Sequence, residues 1–135
     1  MAVSKSETQI TWPTAVNSKS VAAGGSQESE ELTFSATAFK VDIELKADND
    51  GTPAAGDTVT FYLLLTGGDP DGTGSDEFAT AEHGIFLAEL DTNTEDPAIE
   101  VVPGVAAPKK GKIRAVNNSS GRAIKVSALA YEYKA

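Results

Sequence analysis

Apolar and polar residues alternate with a period of two along much of this chain. In "FKVDIELKAD" Phe39, Val41, Ile43 and Leu45 share one face and Lys40, Asp42, Glu44 and Lys46 the other, which predicts a strand with one buried and one wet side. "NDGTPAAGD" is dense in turn formers, and "DTVTFYLLLT" after it sets Val59, Phe61, Leu63 and Leu65 against Thr58, Thr60, Tyr62 and Leu64, predicting a central, more deeply buried strand. Apolar runs bounded by turn residues recur in "SVAA", "EELTFSA", "GIFLAEL", "AIEVV", "GKIRAVNN" and "RAIKVSALAYEY", the last two joined by the hairpin signal "NNSSG". About eight strands without an alternating helix predict an all-β fold, an antiparallel, jelly-roll-like β-sandwich. "DEFATAEHG" has room for one helical turn.

Residues 1–18 lack such a pattern and read as an extended N-terminal arm ahead of a sandwich domain over 19–135. Pro13 blocks helix continuation and holds Trp12 extended. Ile10, Trp12 and Val16 cost free energy when wet, so the arm must dock. It either folds back over an open edge of its own sandwich or clamps a neighbouring subunit with Trp12, the chain's only tryptophan, as anchor. The expectation adopted is the clamp, with Ile10, Trp12, Pro13 and Val16 as contacts.

In "RAIKVSALAYEY" Ile124, Val126, Ala128 and Ala130 form one apolar face. Strict alternation puts Leu129, Tyr131 and Tyr133 on the other, where they need a partner subunit. A bulge near Ala128 would instead turn them into the core.

The chain has 135 residues and no cysteine, so one domain with an unstapled core is expected. The start has no apolar signal segment and no run is long enough to cross a bilayer, so a soluble protein without membrane contact is expected. A net charge of −9 argues against nucleic acid as a partner. That charge is split, −15 over residues 1–108 and +6 over 109–135. Either the basic C-terminal strands neutralise acidic neighbours in their own sheet, or they meet the acidic loops of another subunit.

Motifs for chemistry fail. "GTPAAGDT" has phosphate-loop glycine spacing, but Asp57 stands at the lysine position and a strand follows. The sole histidine, His83, has no nucleophile-elbow sequence to serve and reads as a turn or surface residue. In "GGDPDGTGSDE" Asp69, Asp71, Thr73 and Gly74 follow a calcium loop, yet its terminal glutamate position is Thr80. Asp69, Asp71, Asp76 and Glu77 are the carboxylates that calcium would use. No metal, no cofactor and no catalytic residue is expected.

The lead-in "VNSKSVAAGGSQESEELTFSATAFKVDIELKADNDGTPAAGDTVTFYLLL", the segment "AEHGIFLAELDT" and the closing hairpin "KKGKIRAVNNSSGRAIKVSALAYEY" together resemble the capsid decoration (cement) proteins of tailed bacteriophages. The resemblance spans residues 16–133. It implies a non-enzymatic virion protein on the outer capsid surface that binds the major capsid protein, self-associates as a homotrimer and stabilises the head. Rival readings are a carbohydrate-binding or adhesin-like sandwich module and a phage neck or tail structural protein.

Overall fold

A computed structural model describes residues 3–105 and 109–135. Among the described residues ten strands build two antiparallel sheets. The first has the order β1 (Ser4–Ile10), β10 (Ile124–Lys134), β5 (Ala38–Asn49), β8 (Ala98–Val105), with β2 (Lys19–Val21) also pairing with β10. The second runs β3 (Ser26–Glu28), β9 (Lys110–Asn117), β6 (Thr58–Thr66), β7 (Ile85–Asp91), with β4 (Leu32–Thr33) also on β9. The only helical piece among the described residues is the 3-10 turn Ala81–His83, within the predicted helical stretch, and His83 lies exposed in it.

The all-β sandwich expected from the alternation is what the chain forms. Val41, Ile43, Leu45 and Ala47 of β5 and Ile124, Val126, Ala128 and Ala130 of β10 face Val59, Phe61 and Leu63 of β6 and Ile113 and Ala115 of β9 across one core. Phe39, expected on the buried face, is 56% exposed. The β5–β10 register shifts there, with Tyr133 opposite Lys40 and Lys134 opposite Ala38, so Phe39 is the extra residue of a bulge and drops out of the inward alternation.

The arm is corrected. Residues Ser4–Ile10 are not an extension but an edge strand, antiparallel to β10 from Ser4↔Lys134 to Ile10↔Ala128. Trp12 then turns inward, and mutual backbone bonds with Val16, Trp12 N–H to Val16 O at 2.7 Å and Val16 N–H to Trp12 O at 3.0 Å, close the link to β2. Trp12 is 0% exposed and Ile10 2%, so both belong to the chain's own core and neither is free to clamp a neighbour. Pro13 and Val16 remain on the surface of that turn. The sandwich domain therefore begins with β1, not at residue 19. The reason is pairing: β10 is long enough to need a partner along its whole edge, and β1 and β2 share that edge end to end.

One end of the sandwich is tied by the buried carboxylate of Asp57. It accepts from the Ser119 hydroxyl (2.8 Å), the Ala54 amide (3.0 Å), the Asn49 side-chain amide (3.2 Å) and a guanidinium nitrogen of Arg122 (3.4 Å). Thr92 donates to the Asp57 carbonyl at 2.8 Å. Three further stretches of chain, 49–54, Thr92 and 119–122, thus converge on one residue, and its pKa is held below the usual carboxylate value by the Ser119 hydroxyl first, then by the amides and Arg122. The residue that spoils a phosphate loop in the sequence is a structural acceptor.

Candidate assembly surface

Because β10 alternates without a bulge at Ala128, Leu129, Tyr131 and Tyr133 emerge, half-buried, on the outer face of the first sheet. The register sets them in rows. Leu129 lies between Glu44 and Gln9, Tyr131 between Asp42 and Glu7, and Tyr133 between Lys40 and Lys5. Ile99 and Val101 on edge strand β8, opposite Lys46 and Glu44, extend the face and are 52% and 51% exposed.

The tyrosines are held by charge. The Lys5 ammonium lies 4.6 Å from the Tyr131 ring centre and 5.5 Å from that of Tyr133, and the Lys40 ammonium 4.5 Å from Tyr133. The Tyr133 hydroxyl donates to Asp42 at 3.0 Å. The Gly104 amide, together with that hydroxyl and the nearby lysines, keeps the Asp42 carboxyl below its usual range despite some desolvation. Beside Leu129, Gln9, Glu44, Lys46, Ile99 and Ser127 border a shallow groove of about 300 Å³. The arrangement is a mixed apolar and charged plateau, with tyrosines pinned in place and hydroxyl and ammonium groups at its rim. Such a surface suits docking of a macromolecule.

Of the residues expected at an interface, the structure thus brings together Leu129, Tyr131 and Tyr133. It separates them from Ile10 and Trp12, which are core, and from Pro13 and Val16 in the turn.

The split charge is largely resolved inside the chain. Arg114 pairs with Glu28 (3.4 Å), Lys110 with Glu31 (3.6 Å) and Asp76 (2.9 Å), Lys109 with Asp76 (3.0 Å) and Arg122 with Asp57 (3.4 Å). Asp76, paired with Lys109 and Lys110, is not part of the group that the other three candidate calcium ligands form. Asp69, Asp71 and Glu77 do converge, with carboxylate oxygens within 4.8 Å of one another. Asp69 and Asp71 are already engaged by their own loop. Asp69 accepts from the Gly72 and Gly74 amides (3.1 and 2.6 Å), and Asp71 from the Thr73 hydroxyl and amide (2.7 and 3.1 Å). The Thr73 contacts hold Asp71 below the usual carboxylate range.

A second exposed cluster escaped the sequence reading. On the outer face of the second sheet, Phe86 of β7 lies opposite Tyr62 of β6, Tyr62 opposite Arg114 of β9, and Arg114 opposite Glu28 of β3. Phe86 is 59% exposed, and the two rings stand 6.3 Å apart at 74°. Alternation sets Tyr62 opposite Val59, Phe61 and Leu63, but "GIFLAEL" is an apolar run whose period marks no exposed face for Phe86.

No family model matches the chain, and no curated protein does. Solved structures share its fold. Infectious bursal disease virus, Gx strain, is similar at 10% identity and TM-score 0.54 over 98% of this chain, which corresponds to 32% of the viral chain. The CBM36-1 domain of a multidomain xylanase from the hindgut metagenome of Trinervitermes trinervoides is similar at 11% identity and TM-score 0.50, over 98% of both chains. The capsid structure of Helicobacter pylori bacteriophage KHP30 is a looser likeness, 15% identical with TM-score 0.35, covering 96% of this chain and 93% of that one. The class defined is a jelly-roll-like β-sandwich, the fold this chain shares with the bursal disease virus structure and the CBM36-1 domain.

Proposed function

We propose that this chain is a non-enzymatic decoration protein of a phage capsid, attached to the major capsid protein on the outer surface of the head and self-associated as a homotrimer. The observation that carries this reading is the plateau of Leu129, Tyr131, Tyr133, Ile99 and Val101 on one sheet face, because strict alternation forces these large groups out of an already filled core. Tyrosine, apolar in body and polar at its tip, is suited to such contacts. The net charge of −9 suits an exterior better than a DNA-filled interior. The N-terminal strand has no clamping role in this reading, since Trp12 is spent on the core.

Sedimentation velocity and co-pelleting with expanded heads stripped of this protein test it. Wild type is expected to sediment as a trimer and pellet with heads. Tyr131→Ser combined with Tyr133→Ser is expected to keep its far-ultraviolet circular dichroism, sediment as a smaller species and stay in the supernatant. A wild type that is monomeric and never pellets ends the proposal.

A further inference from the structure

We propose that the outer face of the second sheet binds a neutral glycan along the row Phe86, Tyr62, Arg114 and Glu28. The row crosses four strands, three interstrand steps of about 4.8 Å, or roughly 14 Å, the footprint of a short oligosaccharide.

Its composition selects the ligand. At one end an exposed phenyl ring meets the Tyr62 ring almost perpendicularly, at 74°, and so forms an aromatic corner open to solvent. A sugar ring offers C–H groups that pack on such a surface and a rim of hydroxyls that both donate and accept. Next in the row, Arg114 and Glu28, paired at 3.4 Å, offer a planar fork of donors and a carboxylate acceptor and together carry no net charge. An anionic ligand would meet Glu28, and Glu89 beside Thr60 in the neighbouring row, while a cationic one would meet Arg114. The apolar part of the row is two rings, Phe86 and Tyr62, whereas a stable protein interface takes roughly 20–30 residues a side. One ring face is enough for a sugar.

The row is also pre-shaped. Segment 67–84 crosses beside it so closely that a Cβ on Gly84 would lie 3.0 Å from Leu64 Cδ2 and 3.1 Å from Tyr62 Cβ. That segment is pinned to β9 by Asp76 on Lys110 at 2.9 Å and by Phe78 under the Lys112 ammonium at 4.5 Å. On the other flank the Asn118 side chain donates to the Thr60 hydroxyl at 2.9 Å, fixing further polar groups next to the aromatic corner. Binding would therefore cost little reordering of the protein.

This site is independent of the plateau on the first sheet, and its test is independent too. The full chain would be run in affinity electrophoresis against xylan, mannan and soluble starch, with heparin as the acidic control. Phe86→Ala, Phe86→Trp and wild type would be compared after thermal melts establish that all three are folded, as the exposure of Phe86 leads one to expect. Retardation by at least one neutral polysaccharide is expected, weakened roughly tenfold by Phe86→Ala and retained by Phe86→Trp, in line with loss of one aromatic contact. The proposal is overturned if no neutral polysaccharide retards the protein, if only heparin does, or if Phe86→Ala binds like wild type. It is equally overturned if Phe86→Ala leaves glycan binding intact and instead releases the protein from heads, which would make this face a protein contact.

Discussion

Replacing Trp12 by alanine tests whether the N-terminal segment is core or appendage. The indole is 0% exposed and belongs to the single hydrophobic cluster, so truncation removes its transfer free energy and leaves a cavity. Large aromatic to alanine changes of this kind cost about 3–5 kcal/mol. An unfolding entropy of about 2.1 cal/mol/K per residue gives roughly 0.28 kcal/mol/K for a chain this long, so the melting temperature is expected to fall by about 10–18 °C. Calorimetry or far-ultraviolet circular dichroism would measure it, because the variant loses the only tryptophan and with it the fluorescence probe. Trp12→Phe is the control. Its ring fills much of the same space, and it removes an indole N–H that finds no hydrogen-bond partner among the described residues, so a loss within about 1.5 kcal/mol is expected. In wild type the emission should be blue-shifted and should move red in one transition that coincides with the circular dichroism melt. A fall of less than about 3 °C for Trp12→Ala, close to 1 kcal/mol on the same scale, would refute the reasoning and return Trp12 to the surface.

Deleting residues 1–11 should prevent cooperative unfolding altogether, since it bares the β10 edge and removes Ile10 from the core; a sharp melt in the truncated chain would contradict this. Asp57 is held below the usual Asp value of 3.8, so its network stabilises the fold fully above that pH and is lost as the pH falls through the lowered folded pKa. Asp57→Asn, which sets an amide against fixed donors, should lower the melting temperature at pH 7 and flatten its decline below pH 4, as read from melts across that range. Asp76→Asn should free segment 67–84 from Lys109 and Lys110 and speed limited proteolysis there, with cleavage sites read by mass spectrometry. Calcium at millimolar concentration should move the melting temperature little, because Asp69 and Asp71 already accept from their own loop; a rise of several degrees would show a bound ion.

The strands legible in the sequence are those whose inward positions are apolar, as in Val41, Ile43 and Leu45 or Val59, Phe61 and Leu63. β1 was not legible because its positions on the inward side are Ser6, Thr8 and Ile10, and a strand with one apolar residue is defined by its partner, not by its own period. β3, "SQE", is hidden for the same reason and pairs with the strongly patterned β9. Tyr131 and Tyr133 were placed correctly on a face by alternation alone, whereas the choice between a bulge and an exposed plateau depended on the β5 register. The Phe86–Tyr62 corner could not be found from periodicity. Leu64, on the same face as Tyr62, is buried by the crossing segment, so one strand face is covered at one end and open at the other.

The pairing of Ser4 with Lys134 has a mechanical side. Anything joined ahead of β1 and anything joined after β10 leaves the molecule at the same corner, on neighbouring strands about 5 Å apart. Tension between two such attachments would not shear the ladder all at once; it would peel β1 from β10 one hydrogen-bonded pair at a time, starting at Ser4 and reaching the Trp12 plug last. Tension applied between that corner and the opposite end would load the whole ladder in parallel. The direction of a pull, more than its size, would then decide whether this sandwich opens or holds.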